Sequence, residues 1–414
     1  MGFLFLKHLK NKNMFRFTTD SRPKVAVLSD VHDIMNTELL DVIYLPSIDS
    51  LKQLFQNCIP DAIVTYHPDG WEVFSKMNEF PDWIKRIWYH YTEYADYSYE
   101  VYSYIHNNQL SGYSMPEFSI FTPLYKSKYL LQAYESIKNQ TLNDWEWVLV
   151  DDSPIEHMET ETLAQEIASK DCRVRYIRYS EPTGGNIGLS KYRACSNCNG
   201  KFFLELDHDD ELLPFTLKII DDAIKQFPFS GFFYSDFTDI DANGNYIAAQ
   251  YGDEFAFGFA HPYSIMLDDK EVPANESPNL NSVTVRHIVG MPNHLRCWSR
   301  EIYNLVGGHN KNMRIADDYE LCVRTFLATK FTRIQYPLYR QRFDGNNSQD
   351  AHTNRDDIQR RVYEIATFYN DMLHNEVINQ SGVDLGYEKG KPINQIYEAG
   401  SGVTLPFCNN LFIV

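Results

Sequence analysis

The apolar positions of the chain first fall into short runs separated by stretches of helical spacing. Val25-Ala-Val-Leu28, Val42-Ile-Tyr-Leu45 and Ala62-Ile-Val-Thr-Tyr66 read as buried strands. Between them Leu51, Leu54 and Phe55 recur as one face of a helix spanning 50–57. Strand–helix alternation of this kind predicts a small parallel sheet covered by helices, with Ile84 to Tyr91 as a fourth strand. Tyrosines then crowd the chain from Tyr89 to Tyr113, and the spacing predicts a connecting helix packed between two domains. Aromatic rings also suit sugar faces, so a carbohydrate contact is the other reading of the same stretch.

From Glu117 the alternation starts again. Phe118 to Thr122, Trp145 to Val150, Val174 to Arg178 and Phe202 to Leu206 read as strands, with helices from Tyr129 to Asn139 and from near Leu189. A further helix is expected near Leu212, and another carries Leu321, Arg324 and Thr325. Residues 252 to 286 form a polar insertion that reads either as a mobile lid or as an ordinary surface loop. Asp356 to Asn375 has an amphipathic pattern, and the tail after Ser381 is glycine-rich and irregular. The expected organisation is a small α/β accessory domain over 1–113, a main α/β domain over 114–348 and a helical, irregular segment over 349–414.

Composition narrows the function classes. The net charge of −18 argues against nucleic acid held by general electrostatics. An anionic nucleotide would need a local arrangement of metal, basic side chains or backbone N–H groups. No apolar run reaches the ~20 residues of a membrane span, and Gly2 to Leu6 is too short for a signal-peptide core. Seven cysteines without framework spacing suggest reduced thiols and a cytoplasmic setting, with peripheral membrane association left open. Cys195-Ser-Asn-Cys198 is formally a C-x-x-C, but two cysteines packed in a helix are the simpler reading. Ser29-Asp30-Val31-His32 resembles the D-x-H opening of metallophosphoesterases, yet the further motifs of that family do not follow.

Candidate chemistry collects at the ends of the second set of strands, where open α/β sheets place ligands. Thr122-Pro123 ends one strand. Asp151 and Asp152 end the next, suited to accept from a base or ribose or to form a turn. Gly184-Gly185-Asn186-Ile187-Gly188 opens a helix bearing Lys191 and Arg193, candidates for a diphosphate or for a solvated helix face. Asp207-His208-Asp209-Asp210 follows the fourth strand. Crowded carboxylates repel unless a cation or protons intervene, and hard oxygen ligands suit Mg²⁺ or Mn²⁺. Asp317-Asp318 stand at the start of a helix, where the dipole stabilises negative charge; alone they read first as a simple N-cap and second as a candidate base.

Thr122-Pro123, Val150-Asp-Asp-Ser153, Gly185-Asn-x-Gly188 with Arg193-Ala194, and Leu206-Asp-His-Asp-Asp210 occur in the order seen in family 2 glycosyltransferases. The region from about 117 to 348 resembles that family. The resemblance implies a GT-A type fold: a nucleotide-sugar-binding mixed sheet flanked by helices, with Asp207-His-Asp209 as its D-x-D motif. It implies metal binding by Asp207, Asp209 and Asp210. Nucleotide contacts would come from Thr122, Pro123, Asp151, Asp152, Gly185, Asn186, Gly188, Lys191, Arg193 and Asp207. Val306-Gly-Gly-His309-Asn310 followed by Asp317-Asp318-x-x-Leu321-x-x-Arg324 resembles the acceptor-side pattern. On that match Asp318 takes the place of the base and Asp317, commonly Glu, that of the preceding acid. Pro292-Asn-His294-Leu-Arg296-Cys-Trp298 lies where acceptor-site residues occur, with His294 or Trp298 as pocket candidates. Tyr339-Arg340-Gln-Arg342 resembles a Tyr-Arg-x-His ending in which Arg342 replaces the His and would clamp diphosphate directly.

The implied activity is inverting, metal-dependent transfer of a sugar from a nucleotide diphosphate, UDP being commonest in the family, to a glycan or polysaccharide-type hydroxyl. The alternative is a catalytically silent sugar- or nucleotide-binding scaffold of the same shape. A nucleotidyltransferase would need a basic triphosphate loop, which the chain does not display.

Overall fold

The computed structural model describes residues 21–29, 31–56, 58–66, 76–111, 115–250, 261–280, 284–287, 292–345, 355–381 and 410–414. Outside them lie residues 1–20, Asp30 of the metallophosphoesterase-like motif, Tyr113, residues 251–260 and 281–283 of the insertion, Asn346 to Ser348, and the tail over 382–409. The chain divides into two compact units. One comprises Met1–Glu117, Asn143–Trp147 and Ala164–Tyr176, the other Phe118–Leu142, Val148–Leu163 and Ile177–Val414.

The first unit holds a four-stranded parallel sheet, as its pattern predicts. Its strands are β1 (Lys24–Leu28), β2 (Asp41–Leu45), β3 (Ala62–Tyr66) and β4 (Trp88–Tyr91), in the order β2-β1-β3-β4. Successive side chains of a strand point to opposite faces. Accordingly Ala26 and Leu28 join Leu51, Leu54 and Phe55 of the helix Ile48–Phe55 on one face. Val25 and Val27 join Val101 and Ile105 of the helix Ser98–Ser111 on the other. The expected fourth strand is shorter than its apolar run. Asp82–Lys85 is a helical turn entered from Pro81, and the strand starts only at Trp88. The tyrosines also divide. Tyr91 and Tyr97 stack at 3.8 Å against the core, while Tyr99, Tyr102 and Tyr104 stay exposed, because Val101 and Ile105 supply the buried face of their helix.

A mixed sheet follows, in the second unit apart from the first three residues of each of its strands at 145–151 and 174–178. Strand β5 (Phe118–Leu124) is followed by β6 (Trp145–Asp151), β7 (Val174–Arg178), β8 (Phe202–Glu205), β9 (Glu211–Leu212) and β10 (Ser230–Asp241). Then come β11 (Pro262–Leu267), β12 (Lys270–Asn275), β13 (Arg296–Ser299), β14 (Lys330–Phe343) and β15 (Asn410–Phe412). Strand β8 runs parallel to β5 and antiparallel to β13. Strand β10 runs antiparallel to β13 and parallel to β14, which also pairs with β9 and β15. Phe232 packs on Phe331 at 4.3 Å and on Trp298 at 5.0 Å in the apolar core. Trp298 is therefore a core residue, its indole N–H bonded to Thr325.

Three expectations are corrected. The helix placed near Leu212 begins at Thr216, because Leu213 precedes Pro214 and is barred from helical backbone. The described part of the 252–286 insertion is no ordinary loop: 262–275 form a β11–β12 hairpin. Asn410 to Phe412, at the end of the tail expected to be irregular, form strand β15, with Phe412 paired to Ile334. Cys195 ends the helix Ile187–Cys195 and Cys198 lies three residues beyond it; both are buried, and neither is in a disulfide. Among the described residues no helix is long and apolar enough to cross a membrane.

Candidate active site

The site is built where β8 leaves the sheet. Asp207 to Asp210 form the turn after this strand, and they are not a solvated acidic loop. Asp210 is buried with both oxygens occupied: Tyr339 Oη donates to Oδ2 (2.8 Å) and the Arg342 N–H to Oδ1 (2.7 Å). The same Tyr339 oxygen accepts from the Asp207 N–H at 3.1 Å, so one side chain of β14 pins both ends of the turn. His294 stacks flat on Tyr339, with centroids 4.2 Å apart. One oxygen each of Asp207 and Asp210 and a ring nitrogen of His294 lie within 4.8 Å of one another.

This donor set fits a divalent cation. Burial, aided by the charges of Glu205 and Asp209 and opposed by Lys191, pushes Asp207 up to about 6. Burial and the neighbouring acids also raise Asp210. Such carboxylates are relieved by a cation. Burial pushes His294 down to about 3, leaving a neutral imidazole with a lone pair to give. The geometry thus alters the expected set of Asp207, Asp209 and Asp210. His294, from the segment before β13, joins the group, while Asp209 is a half-buried neighbour on the turn.

The second cluster starts from Glu205, the last residue of β8. Its antiparallel partner on β13 is Arg296. The Arg296 guanidinium contacts Glu205 Oε2 at 3.2 Å and Asp318 Oδ2 at 3.0 Å, and its Nε donates to the Pro292 carbonyl at 2.9 Å. Lys191 Nζ lies 2.6 Å from Glu205 Oε1 and 3.8 Å from Asp317 Oδ2. Asp317 and Asp318 open the helix Asp317–Ala328, entered through Ala316 at φ 58°. Asp317 is 2% exposed, whereas the Asp318 side chain is 31% exposed and also accepts from the Tyr319 N–H. Burial, with the charges of Asp318 and Glu205, pushes Asp317 up to about 7 against the pull of Lys191. Burial would raise Asp318 too, but Arg296 and Lys191 outweigh it and hold this carboxyl below its usual value. The same two cations outweigh burial at Glu205, which stays ionised. The adjacent acids therefore separate into a buried proton-holding one and an accessible ionised one.

The other residues expected to contact the nucleotide have these surroundings within the chain. Lys191 is buried among carboxylates and not presented to a diphosphate. Arg193 donates to the Glu181 carbonyl (2.6 Å) and lies over Tyr179. All three guanidinium nitrogens of buried Arg342 donate within the chain, to the Asp209 and Asp241 carbonyls and the Glu211 carboxylate. It clamps the acidic turn. Thr122 is fully buried within β5, because that strand continues to Leu124; Pro123 is half-buried. Asp151 is buried and bonded to Arg178 at 2.9 Å, and Asp152 accepts from the N–H and hydroxyl of Thr183.

The glycine loop has two parts. Gly184 and Gly185 are exposed at φ 64° and 81°, a backbone that glycine adopts without strain. Asn186 caps the helix Ile187–Cys195 and also donates to the Lys311 carbonyl. Gly188 is tightly enclosed: an added Cβ would stand 2.3 Å from the Asn310 carbonyl oxygen. Its N–H donates to Met313 O, and Arg314 donates to Gly184 O. The loop thus braces the segment that delivers Asp317 and Asp318. Sequence reasoning quoted Arg296 and Tyr339 only inside longer motifs and gave Glu205 no role, although a carboxylate interrupting an apolar strand was its visible signal.

Residues 119–266 match the model of a family described as glycosyl transferase family 2. Over those residues the chain is similar to family 2 glycosyltransferases. It is 26% identical over 287 residues to the chondroitin synthase of Escherichia coli, covering 69% of this chain and 35% of that protein. Identity to the hyaluronan synthase of Pasteurella multocida is 23% over 238 residues, 56% of this chain and 21% of that one. The chain thus spans about a third or less of the length of these curated relatives. Among solved structures, Staphylococcus aureus TarS 1-349 in complex with UDP-GlcNAc matches with a TM-score of 0.45 at 16% identity, over 64% of this chain and 67% of that one. The Pyrobaculum calidifontis mannosyltransferase PcManGT, in complex with GDP-Man and Mn²⁺, matches at 0.43 and 13%, over 70% of this chain and 80% of that one.

Proposed function

We propose that this glycosyltransferase inverts configuration, requires a divalent cation and moves a sugar from a nucleoside diphosphate donor, a UDP-sugar in the first instance, to a hydroxyl of a glycan or polysaccharide-type acceptor. The observation that carries the reading is the separation of two adjacent acids: Asp318 ionised and partly exposed, Asp317 buried beside it. Environments that push neighbouring titratable groups apart assign their roles. Asp318 takes the proton of the acceptor hydroxyl as its oxygen bonds to the anomeric carbon. The bond from that carbon to the diphosphate oxygen breaks on the opposite face.

Asp207, Asp210 and His294, with Asp209 beside them, would hold Mn²⁺ or Mg²⁺. When bound, the cation supplies positive charge for the departing diphosphate. Exposed Gly184 and Gly185 leave backbone open to the nucleotide. Relatives named as chondroitin and hyaluronan synthases support a glycan acceptor and a role in polysaccharide synthesis. Buried free thiols fit a cytoplasmic setting.

The test is a panel of nucleotide sugars with glycan acceptors, with Mn²⁺ and after chelation, reading the product anomer by NMR. Cation-dependent transfer with inverted configuration is expected. Retained configuration, or undiminished transfer after chelation, contradicts the reading.

A further inference from the structure

A carboxylate inside a buried strand is costly unless it is paired. Apolar replacement of a buried ion pair is often neutral or stabilising, so stability alone is a weak reason to find one here. Glu205 is 5% exposed at the end of β8, and its two oxygens go to two cations that arrive from different elements. Arg296 comes from the neighbouring strand and Lys191 from the helix Ile187–Cys195. Each cation then reaches one of the paired acids: Arg296 touches Asp318 at 3.0 Å, and Lys191 stands 3.8 Å from Asp317. Glu205 is thus the common partner through which both acids of the helix are held.

We propose that Glu205 is a positioning residue for the transfer reaction: it fixes the Asp318 carboxylate through Arg296 and draws Lys191 away from Asp317. The geometry gives each half of this task a distance. Arg296 divides its fork between two carboxylates, so its angle towards Asp318 is set by Glu205. Lys191 is 2.6 Å from Glu205 against 3.8 Å from Asp317, which leaves Asp317 with only longer approaches, from Lys191 and from His309 Nε2, both at 3.8 Å. Without Glu205, Arg296 would close on Asp318 alone and Lys191 would swing towards Asp317. The wrong acid would then carry the settled charge, and the right one would be over-gripped and turned. Asp317 being raised and Asp318 lowered accords with this arrangement.

The inference rests on Asp318 as the base, so the experiment carries Asp318→Asn as its control. In the full chain with Mn²⁺, Glu205→Gln should lower kcat by about 10–100-fold, the scale of a small misplacement of a reacting group. The donor KM should stay within about two-fold, since the donor is gripped at the acidic turn. Glu205→Asp, which restores the charge, should recover part of kcat. A role confined to holding the fold would move the melting temperature and both kinetic constants together, with no such split. If Asp318→Asn is inactive and folded Glu205→Gln turns over normally, the positioning role is wrong and the base assignment stands. If Asp318→Asn itself turns over normally, the base assignment fails and this inference with it. Should Glu205→Gln not fold, Lys191→Met with Glu205→Gln removes one charge of each sign and is read in the same way. Failure of both to fold means a structural role and overturns the proposal.

Discussion

Two neighbouring aspartates with opposite tendencies are the most informative residues in the molecule. Asp317 holds a proton up to about 7 because it is buried beside other carboxylates, whereas the unfolded chain releases that proton near 3.8. Between those values the folded state binds more protons than the unfolded one, so stability falls as pH rises through this window. Asp317→Asn removes the liability. Its melting temperature should exceed that of the wild type at pH 7.5, with the gap closing towards pH 4, by about 2–4 °C for each kcal/mol relieved. Thermal melts across that range check the sign, and a gap that widens on acidification contradicts it. Asp207 behaves similarly, with its proton held up to about 6. A cation must displace that proton, so Mn²⁺ affinity should weaken as pH drops through 6 and binding should release protons. Calorimetry in buffers of different ionisation enthalpy reads both.

At the scale of elements, the loop before the helix Ile187–Cys195 holds the base-bearing segment in place. Gly188 has backbone oxygens of Asn310 and Met313 where a Cβ would go, at 2.3 and 2.8 Å. Neither oxygen sits on a flexible side chain, so Gly188→Ala must push the 310–313 segment outward. A loss of about 1–3 kcal/mol is expected, with kcat falling more than the donor KM rises. Denaturant unfolding and steady-state kinetics check it; an unchanged midpoint contradicts the close approach. Elements of this kind were largely legible in the sequence, since strands β1, β3, β7 and β8 follow their apolar runs closely. Misreadings arose where local rules compete. Ile84 to Tyr91 is apolar enough for a strand, but Pro81 and Asp82 start a helical turn inside it. The hairpin over 262–275 escaped notice among polar neighbours, although Tyr263, Ile265 and Leu267 alternate along β11 and Leu267 packs with Val272.

At the scale of the whole molecule, the ordered motifs were readable and the partnerships between them were not. Asp207 to Asp210 and Asp317-Asp318 announce themselves as acids at element ends. That Arg342 clamps the acidic turn, that Lys191 and Arg296 serve carboxylates, and that Tyr339 ties Asp207 to Asp210 depends on strand pairings far apart in sequence. No local periodicity encodes them. A net charge of −18 also means that an anionic donor approaches an unfavourable field unless a local cation offsets it. Chelation should therefore cost donor binding itself and not only turnover. The account's central claim is that Asp318 accepts the acceptor proton. The most direct measurement is turnover and donor Kd of Asp318→Asn beside the wild type, with Mn²⁺ and the donor sugar that the panel identifies. The account predicts a loss of about 10²–10⁴-fold in turnover with the donor Kd nearly unchanged, and turnover equal to that of the wild type would contradict it.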